Sequence, residues 1–212
     1  MSCRQCQGLD SLFDKETAAR ELKDYQKNGP KKSTRLLIEA IKTQGVEGLT
    51  LLDIGGGVGA IQHELLASGA SRAIHVDASS AYLEAARREA ERRGYTNRVS
   101  YYHGNFVELA QQIEPVDIVT LDRVICCYPD MPALVGLSAS RAGRLYGLVY
   151  PRETWWMKLG CKLVNFGSGL MRQPYRFFVH PTDAVEALIQ QHGLKRSFYR
   201  QTWLWQLAIY TR

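Results

Sequence analysis

The sequence predicts an α/β domain built on a mostly parallel seven-stranded sheet with helices on both faces, and three features carry that expectation. From Leu49 onward, short apolar runs alternate with helical periodicities, the βαβ rhythm of a parallel sheet. The first run, Leu49 to Ile54, passes through Gly55-Gly56-Gly57-Val58-Gly59 into a helix starting at Ala60, a turn that lets a backbone pass close to a nucleotide-like ligand. The chain closes on two strands, Leu194 to Arg200 and Trp203 to Tyr210, with no room for a helix between them, so they pair as an antiparallel hairpin.

Two helices precede the first strand. Ala18, Leu22 and Tyr25 share a helical face from Asp14, a cap, to Asn28, and Gly29-Pro30 ends that helix. Ser33 is the expected cap of the next, which carries Leu37, Ile38, Ala40 and Ile41 and closes at Gly45. The alternation then runs as strand 49–54, helix 60–67, strand 72–77, helix 80–93, strand 99–103, a short helix 106–112 and strand 116–121. A helix capped by Asp130 with Pro132 in its first turn leads to the fifth strand, 145–150. In the helix 154–170, Trp156, Leu159, Leu163, Phe166 and Leu170 form one stripe, for which core is the commonest fate. Two adjacent indoles, Trp155 and Trp156, lie about 100° apart on a helix, so one of them faces a pocket, solvent or a membrane surface. Asp183 and Glu186 have capping-box spacing at the start of the last helix.

The chain has 212 residues, enough for one sizeable core, and no break in composition argues for a second domain. No apolar run approaches the roughly eighteen residues needed to span a bilayer, and Met1 to Asp10 lack the apolar middle of a signal peptide, so a cytoplasmic protein is expected. Five cysteines, an odd number, suit reduced thiols. Cys3 and Cys6 have metal-ligand spacing but no second pair or histidine to complete a site, so no metal is predicted. One of Cys126 and Cys127 is expected in the core. The net charge of +6 is dispersed over helix ends and solvated faces, which argues against nucleic acid as a partner.

The glycine turn fits two cofactors. Gly55, Gly57 and Ala60 match the dinucleotide fingerprint, and Asp77 stands twenty residues past Gly57 at the end of the next strand. A carboxylate at Asp53, two residues ahead of the first glycine, would repel a pyrophosphate and favour the ammonium of S-adenosylmethionine. Asp77 and the adjoining Ala78 suit the ribose of either, and Gly104-Asn105-Phe106 offers a polar group and a ring for an adenine.

The run Asp53, Gly55, Gly56, Gly57, Gly59, then Asp77, then Asn105-Phe106, and the closing hairpin together resemble the class I S-adenosylmethionine-dependent methyltransferases. Asn105 stands where that family usually has Asp. A closer likeness is to magnesium-protoporphyrin O-methyltransferases and their relatives, carried by Leu121-Asp122-Arg123-Val124-Ile125-Cys126-Cys127-Tyr128-Pro129 and Val149-Tyr150-Pro151-Arg152. Cys127 occupies the place where the porphyrin enzymes tend to have histidine, while Tyr25 matches an arm tyrosine. The resemblance implies a Rossmann-like fold, residues 1–48 as a helical arm closing over the cofactor, residues 49–212 as the binding domain, and a small-molecule methyl acceptor. It also implies contributions to the cofactor site from Asp122 and Arg123.

Methyl transfer from a sulfonium is an in-line displacement that needs positioning and exclusion of water more than a base. Tyr128, His180, Arg152 and Tyr25 are the catalytic candidates, set against a packed ring, a helix cap and ordinary surface salt bridges; Lys31 and Arg35 are further arm candidates. The sequence leaves two rival readings open, a nicotinamide-dependent oxidoreductase using the same turn and a catalytically silent S-adenosylmethionine-binding partner protein. It also leaves open the acceptor and the oligomeric state.

Overall fold

In the computed structural model, residue 8 and residues 13–171, 173 and 175–212 are described; Cys3 and Cys6 lie outside them. The arm comprises α1 (Lys15–Asn28) and α2 (Lys32–Lys42). There follow β1 (Thr50–Ile54), α3 (Ala60–Ala67), β2 (Arg72–Asp77), α4 (Ser80–Arg92), β3 (Val99–His103), α5 (Phe106–Leu109) and β4 (Val116–Asp122). The second half holds α6 (Met131–Ser140), β5 (Ala142–Pro151), α7 (Trp155–Leu170), α8 (Thr182–Gln190), β6 (Lys195–Gln201) and β7 (Trp205–Thr211).

The sheet order is β3-β2-β1-β4-β5-β7-β6. The strands from β1 to β5 are parallel, and β7 pairs antiparallel with both β5 and β6, so the predicted hairpin closes the sheet. Successive strand residues alternate between the two faces: Leu52 and Ile54 of β1 join one core with α6 and α8, and Leu51 joins the other beneath α2 and α3. The chain order reverses between β1 and β4, and such a switch point opens a cleft beyond the strands' carboxyl ends. A smaller cluster of Ala18, Tyr25, Val58, Tyr82 and Ala85 docks α1 over that cleft.

Local expectations fare unevenly. Asp14 and Asp130 cap their helices through the amides of Thr17 and Ala133. Ser33 does not: α2 starts two residues earlier than that cap implies, with Lys31 at the cap position and Ser33 buried inside the helix. Gly45 lies beyond the end of that helix, in a turn, and β5 begins at Ala142, three residues earlier than expected. The capping box at Asp183 does not form either. Glu153 accepts the amide of Thr182 at 2.8 Å, and Glu186 pairs with Arg196 at 2.8 Å instead. The largest departure is α7, whose stripe faces outward: Leu159, Leu163, Phe166 and Leu170 are exposed and Ser168 is its buried residue. The periodicity was a true helix signal, but period alone does not say which face is covered.

Candidate active site

The cleft at the switch point has a volume of about 250 Å³. Its floor is Asp53, Ile54 and the glycine loop; one wall is Asp77, Ala78, Asn105 and Phe106, another Asp122, Arg123, Val124, Cys127 and Tyr128, and the arm supplies Glu21, Tyr25, Lys31 and Thr34. The structure therefore brings together the candidates from both halves of the chain.

Asp53 is fully buried at the end of β1. Thr120 of the neighbouring strand donates to its Oδ1 at 2.7 Å, and its Oδ2 has no partner. Burial raises its pKa to about 7. Gly56 passes directly over this carboxyl: a Cβ there would lie 2.7 Å from Asp53 Oδ2 and from His75 Cε1. Gly57 has φ +57° and open space where a side chain would stand, and its amide donates to Asp77 Oδ2 at 2.9 Å. Asp77 Oδ1 accepts the amide of Ser79 at 2.8 Å. Burial lifts its pKa to about 6, with those two amides opposing.

An orphaned carboxylate oxygen below the loop and a space left open by glycine suit a ligand with a cationic end and a diol. Asp53, Gly55, Gly56, Gly57, Asp77 and Ala78 line the part of the cleft that such a ligand would occupy. Asn105 caps α5 by accepting the amide of Val107 at 3.1 Å, and Phe106 is buried beside it at the cleft wall.

The opposite wall is built by a polar knot. Thr34 Oγ1 donates to Asp122 Oδ2 at 2.6 Å, and Arg123 clasps the same carboxylate through Nε and Nη2, each at 3.1 Å. The guanidinium lies 6.0 Å from the ring centroid of Trp205. Arg123 has φ +62°, alone in the left-handed region among the described non-glycine residues. A side chain in that conformation is costly, by about 1–3 kcal/mol, and marks a constrained position.

The four catalytic candidates fall in different places. Tyr128 lines the cleft. Tyr25 lines it too, with its hydroxyl donating to Glu64 at 2.9 Å; burial first, then the Glu64 charge, pushes the phenol well above its ordinary range, so it stays neutral. His180 lies behind the wall, with Nε2 against the carbonyls of Ile125 (2.8 Å) and Tyr128 (3.1 Å), and burial lowers its pKa. Arg152 faces the hairpin turn, with Nη1 3.5 Å from the carbonyls of Thr202 and Trp203. Of the vicinal thiols, Cys126 is buried and Cys127 lines the cleft. Lys31 pairs with Glu21, and Arg35 binds the carbonyls of Asn28 and Pro30, bracing the turn between the arm helices.

Several site residues gave no local signal. Glu21, which accepts from the Tyr82 hydroxyl at 2.9 Å, and Thr34 are polar residues on helices, where a solvated face is the ordinary fate. His75 and Gln62, bonded to each other at 2.9 Å beneath the loop, had one clue: a histidine inside the apolar run Ala73-Ile74-His75-Val76.

Residues 51–139 match a family model described as a methyltransferase domain, the stretch from β1 to α6. Magnesium protoporphyrin IX methyltransferase from Synechocystis PCC 6803 has a similar structure, with 19% identity, coverage of 98% of this chain and 99% of that one, and a TM-score of 0.75. Geranyl diphosphate C-methyltransferase from Streptomyces coelicolor A3(2) is also similar, with 15% identity, 85% and 79% coverage and a TM-score of 0.67. Ribosomal protein L11 methyltransferase from Edwardsiella ictaluri is 28% identical over 123 residues, 55% of this chain and 42% of that protein, so the match spans less than half the length of that relative. The domain match and the fold agree: residues 51–139 match a methyltransferase domain, and the chain has the Rossmann-like fold of the methyltransferases it resembles.

Proposed function

We propose that the protein transfers a methyl group from S-adenosylmethionine to a small-molecule acceptor that brings its own nucleophile, a carboxylate foremost, and that it does so in the cytoplasm. The observation carrying this reading is the make-up of the cleft: among the described residues no imidazole lines it, while the cations Arg123 and Lys31 do. A carboxylate needs no general base, and a guanidinium is shaped to fix one. Cys127 in place of a histidine points away from a base-assisted acceptor. The likeness to the porphyrin enzyme reaches as far as the fold.

The cofactor, when bound, supplies an electrophilic methyl on a good leaving group. The remaining work belongs to this chain. Asp53, Asp77 and Asn105 hold the donor through its charged, diol and amine groups. Arg123 orients the acceptor, Tyr128 forms its wall, and His180 acts as a positioning residue by donating to the Tyr128 and Ile125 carbonyls. The arm residues 1–48 serve as a lid, through Tyr25 and Glu21, excluding water from the cleft.

Calorimetry with S-adenosylhomocysteine and with NAD(H) separates the donor readings: binding of the first and not the second is expected, and the reverse would overturn the proposal. Incubation with methyl-labelled S-adenosylmethionine and a panel of small carboxylic acids tests the acceptor. An alkali-labile label, released as methanol, is expected. A label stable to alkali would remove the carboxylate assignment, and binding without any labelled product would favour the silent binding module.

A further inference from the structure

The exposed large apolar side chains of the described residues gather in one place. Trp155, Leu159, Leu163, Val164, Phe166 and Leu170 lie on α7, Met171 follows it, and Tyr199, Trp203 and Leu204 lie on the β6–β7 hairpin. Trp155 is 77% exposed, Phe166 75%, Leu170 80% and Trp203 76%. The two segments are one patch, because Trp156 stacks on Trp203 with ring centroids 5.6 Å apart. A monomer rarely exposes so much contiguous apolar surface without a partner.

The outward orientation of α7 is built in. On its inner side, Asn165 exchanges hydrogen bonds with the backbone of Phe177, accepting its amide at 2.8 Å and donating to its carbonyl at 2.7 Å, and Ser168 is buried. Polar ties thus hold the helix to the loop that follows it, which the Phe178 amide fastens to the Cys126 carbonyl at 2.7 Å, and leave the apolar face to the outside, the reverse of an ordinary surface helix. The helix has 16 residues, a length of about 24 Å.

The charge of the patch selects its partner. Neither 154–171 nor 194–212 contains an Asp or Glu, in a chain with 21 of them. Lys158, Lys162 and Arg200 rim the apolar side chains, and Lys162 and Arg200 form no ion pair among the described residues. Tryptophan, phenylalanine and leucine on one face with lysine beside them is the composition of a helix that lies in a bilayer interface. A two-fold contact with a second copy would press these cations against their equivalents, which disfavours self-association through this face. Among the described residues no helix is long and apolar enough to cross a membrane, so the contact is a surface one. We infer that α7 and the β6–β7 turn form a docking surface for an anionic lipid bilayer.

The test is sedimentation of the full chain with vesicles of phosphatidylcholine alone and of phosphatidylcholine mixed with phosphatidylglycerol, with tryptophan emission as a second readout. Binding to the anionic vesicles, with a blue shift of emission, is expected, weakening in high salt. The doubly substituted Leu163→Glu/Phe166→Glu chain is expected to lose binding by about tenfold or more. Lys158→Gln/Lys162→Gln should abolish the preference for anionic lipid. Calorimetry with S-adenosylhomocysteine shows that each variant is folded, since no substituted residue touches the cleft. The inference is overturned if the chain sediments with neither vesicle or equally with both, or if the Leu163→Glu/Phe166→Glu chain still binds. It is also overturned if sedimentation velocity shows a dimer that this variant dissociates.

Discussion

The carboxyl of Asp53 has one oxygen on Thr120, the other unpartnered, and a pKa raised to about 7 by burial. Its folded pKa exceeds the ordinary 3.8, so its contribution to stability is complete below that value and is lost as pH rises through about 7. A cationic ligand end beside the carboxyl reverses the preference and selects the ionised form. The affinity for S-adenosylhomocysteine should therefore tighten by about tenfold between roughly pH 6 and 8 in the wild-type chain, following the ionised fraction. Asp53→Asn should bind about ten- to a hundredfold more weakly and without that pH dependence, since it forfeits a hydrogen bond to a charge. A flat calorimetric profile in the wild type would refute this role. Gly56 adds an independent test, because the Cβ of Gly56→Ala would sit 2.7 Å from both Asp53 Oδ2 and His75 Cε1. Thermal or urea unfolding should show a loss of about 1–3 kcal/mol, the cost of overpacking; an unchanged midpoint would mean that the loop moves freely away from its floor.

At the scale of elements, α2 rests against β5 and β7. A Cβ on Gly147 would meet Leu37 Cδ1 at 3.2 Å and Ile41 Cδ1 at 3.3 Å, so the missing side chain is what lets the helix approach. Gly147→Val should cost about 1–3 kcal/mol in chemical denaturation and also weaken cofactor binding, because α2 carries Thr34 to Asp122. Destabilisation with unchanged binding would uncouple the helix from the site. The order of elements was legible because each strand run was bounded by glycine or a cap, and the hairpin because the last two runs left no residues for a crossover. The glycine loop and Asp77 were legible as a local motif. Thr34 on Asp122 and Glu21 on Tyr82 were not, since each joins residues more than sixty positions apart and nothing local distinguishes them from solvated side chains. The orientation of α7 was hidden for a related reason: amphipathicity shows that a helix has an apolar face, and only the assembled body shows whether anything covers it.

At the scale of the whole molecule, α1 and the residues leading into it are tied to α3 and α4 beside the cleft. The Tyr25 hydroxyl donates to Glu64, Tyr82 to Glu21, Ser79 to the carbonyl of Phe13, and Gln26 to Glu89. Glu89 anchors the rim: burial acts to raise its pKa, but hydrogen bonds from Arg92, Arg93 and Gln26 outweigh that and draw it to about 2. The apolar part of α1's contact is small, centred on Ala18, Tyr25, Val58, Tyr82 and Ala85, whereas α2 is part of the main core, so α1 is the part of the arm expected to open at least cost. A ligand held between arm and glycine loop binds the closed form and stabilises it. At a hundred times its dissociation constant, S-adenosylhomocysteine should add about 2.7 kcal/mol. For a chain of this length that is a rise in Tm of about 5–11 °C. The same ligand should slow amide exchange in α1, residues 15–28, and leave the outward face of α7 unchanged, because only the first of these covers the cleft. A ligand-induced rise in Tm with no added protection in α1 would show that the cofactor is held by the sheet edge alone, and the lid role of the arm would fall while the binding site stood.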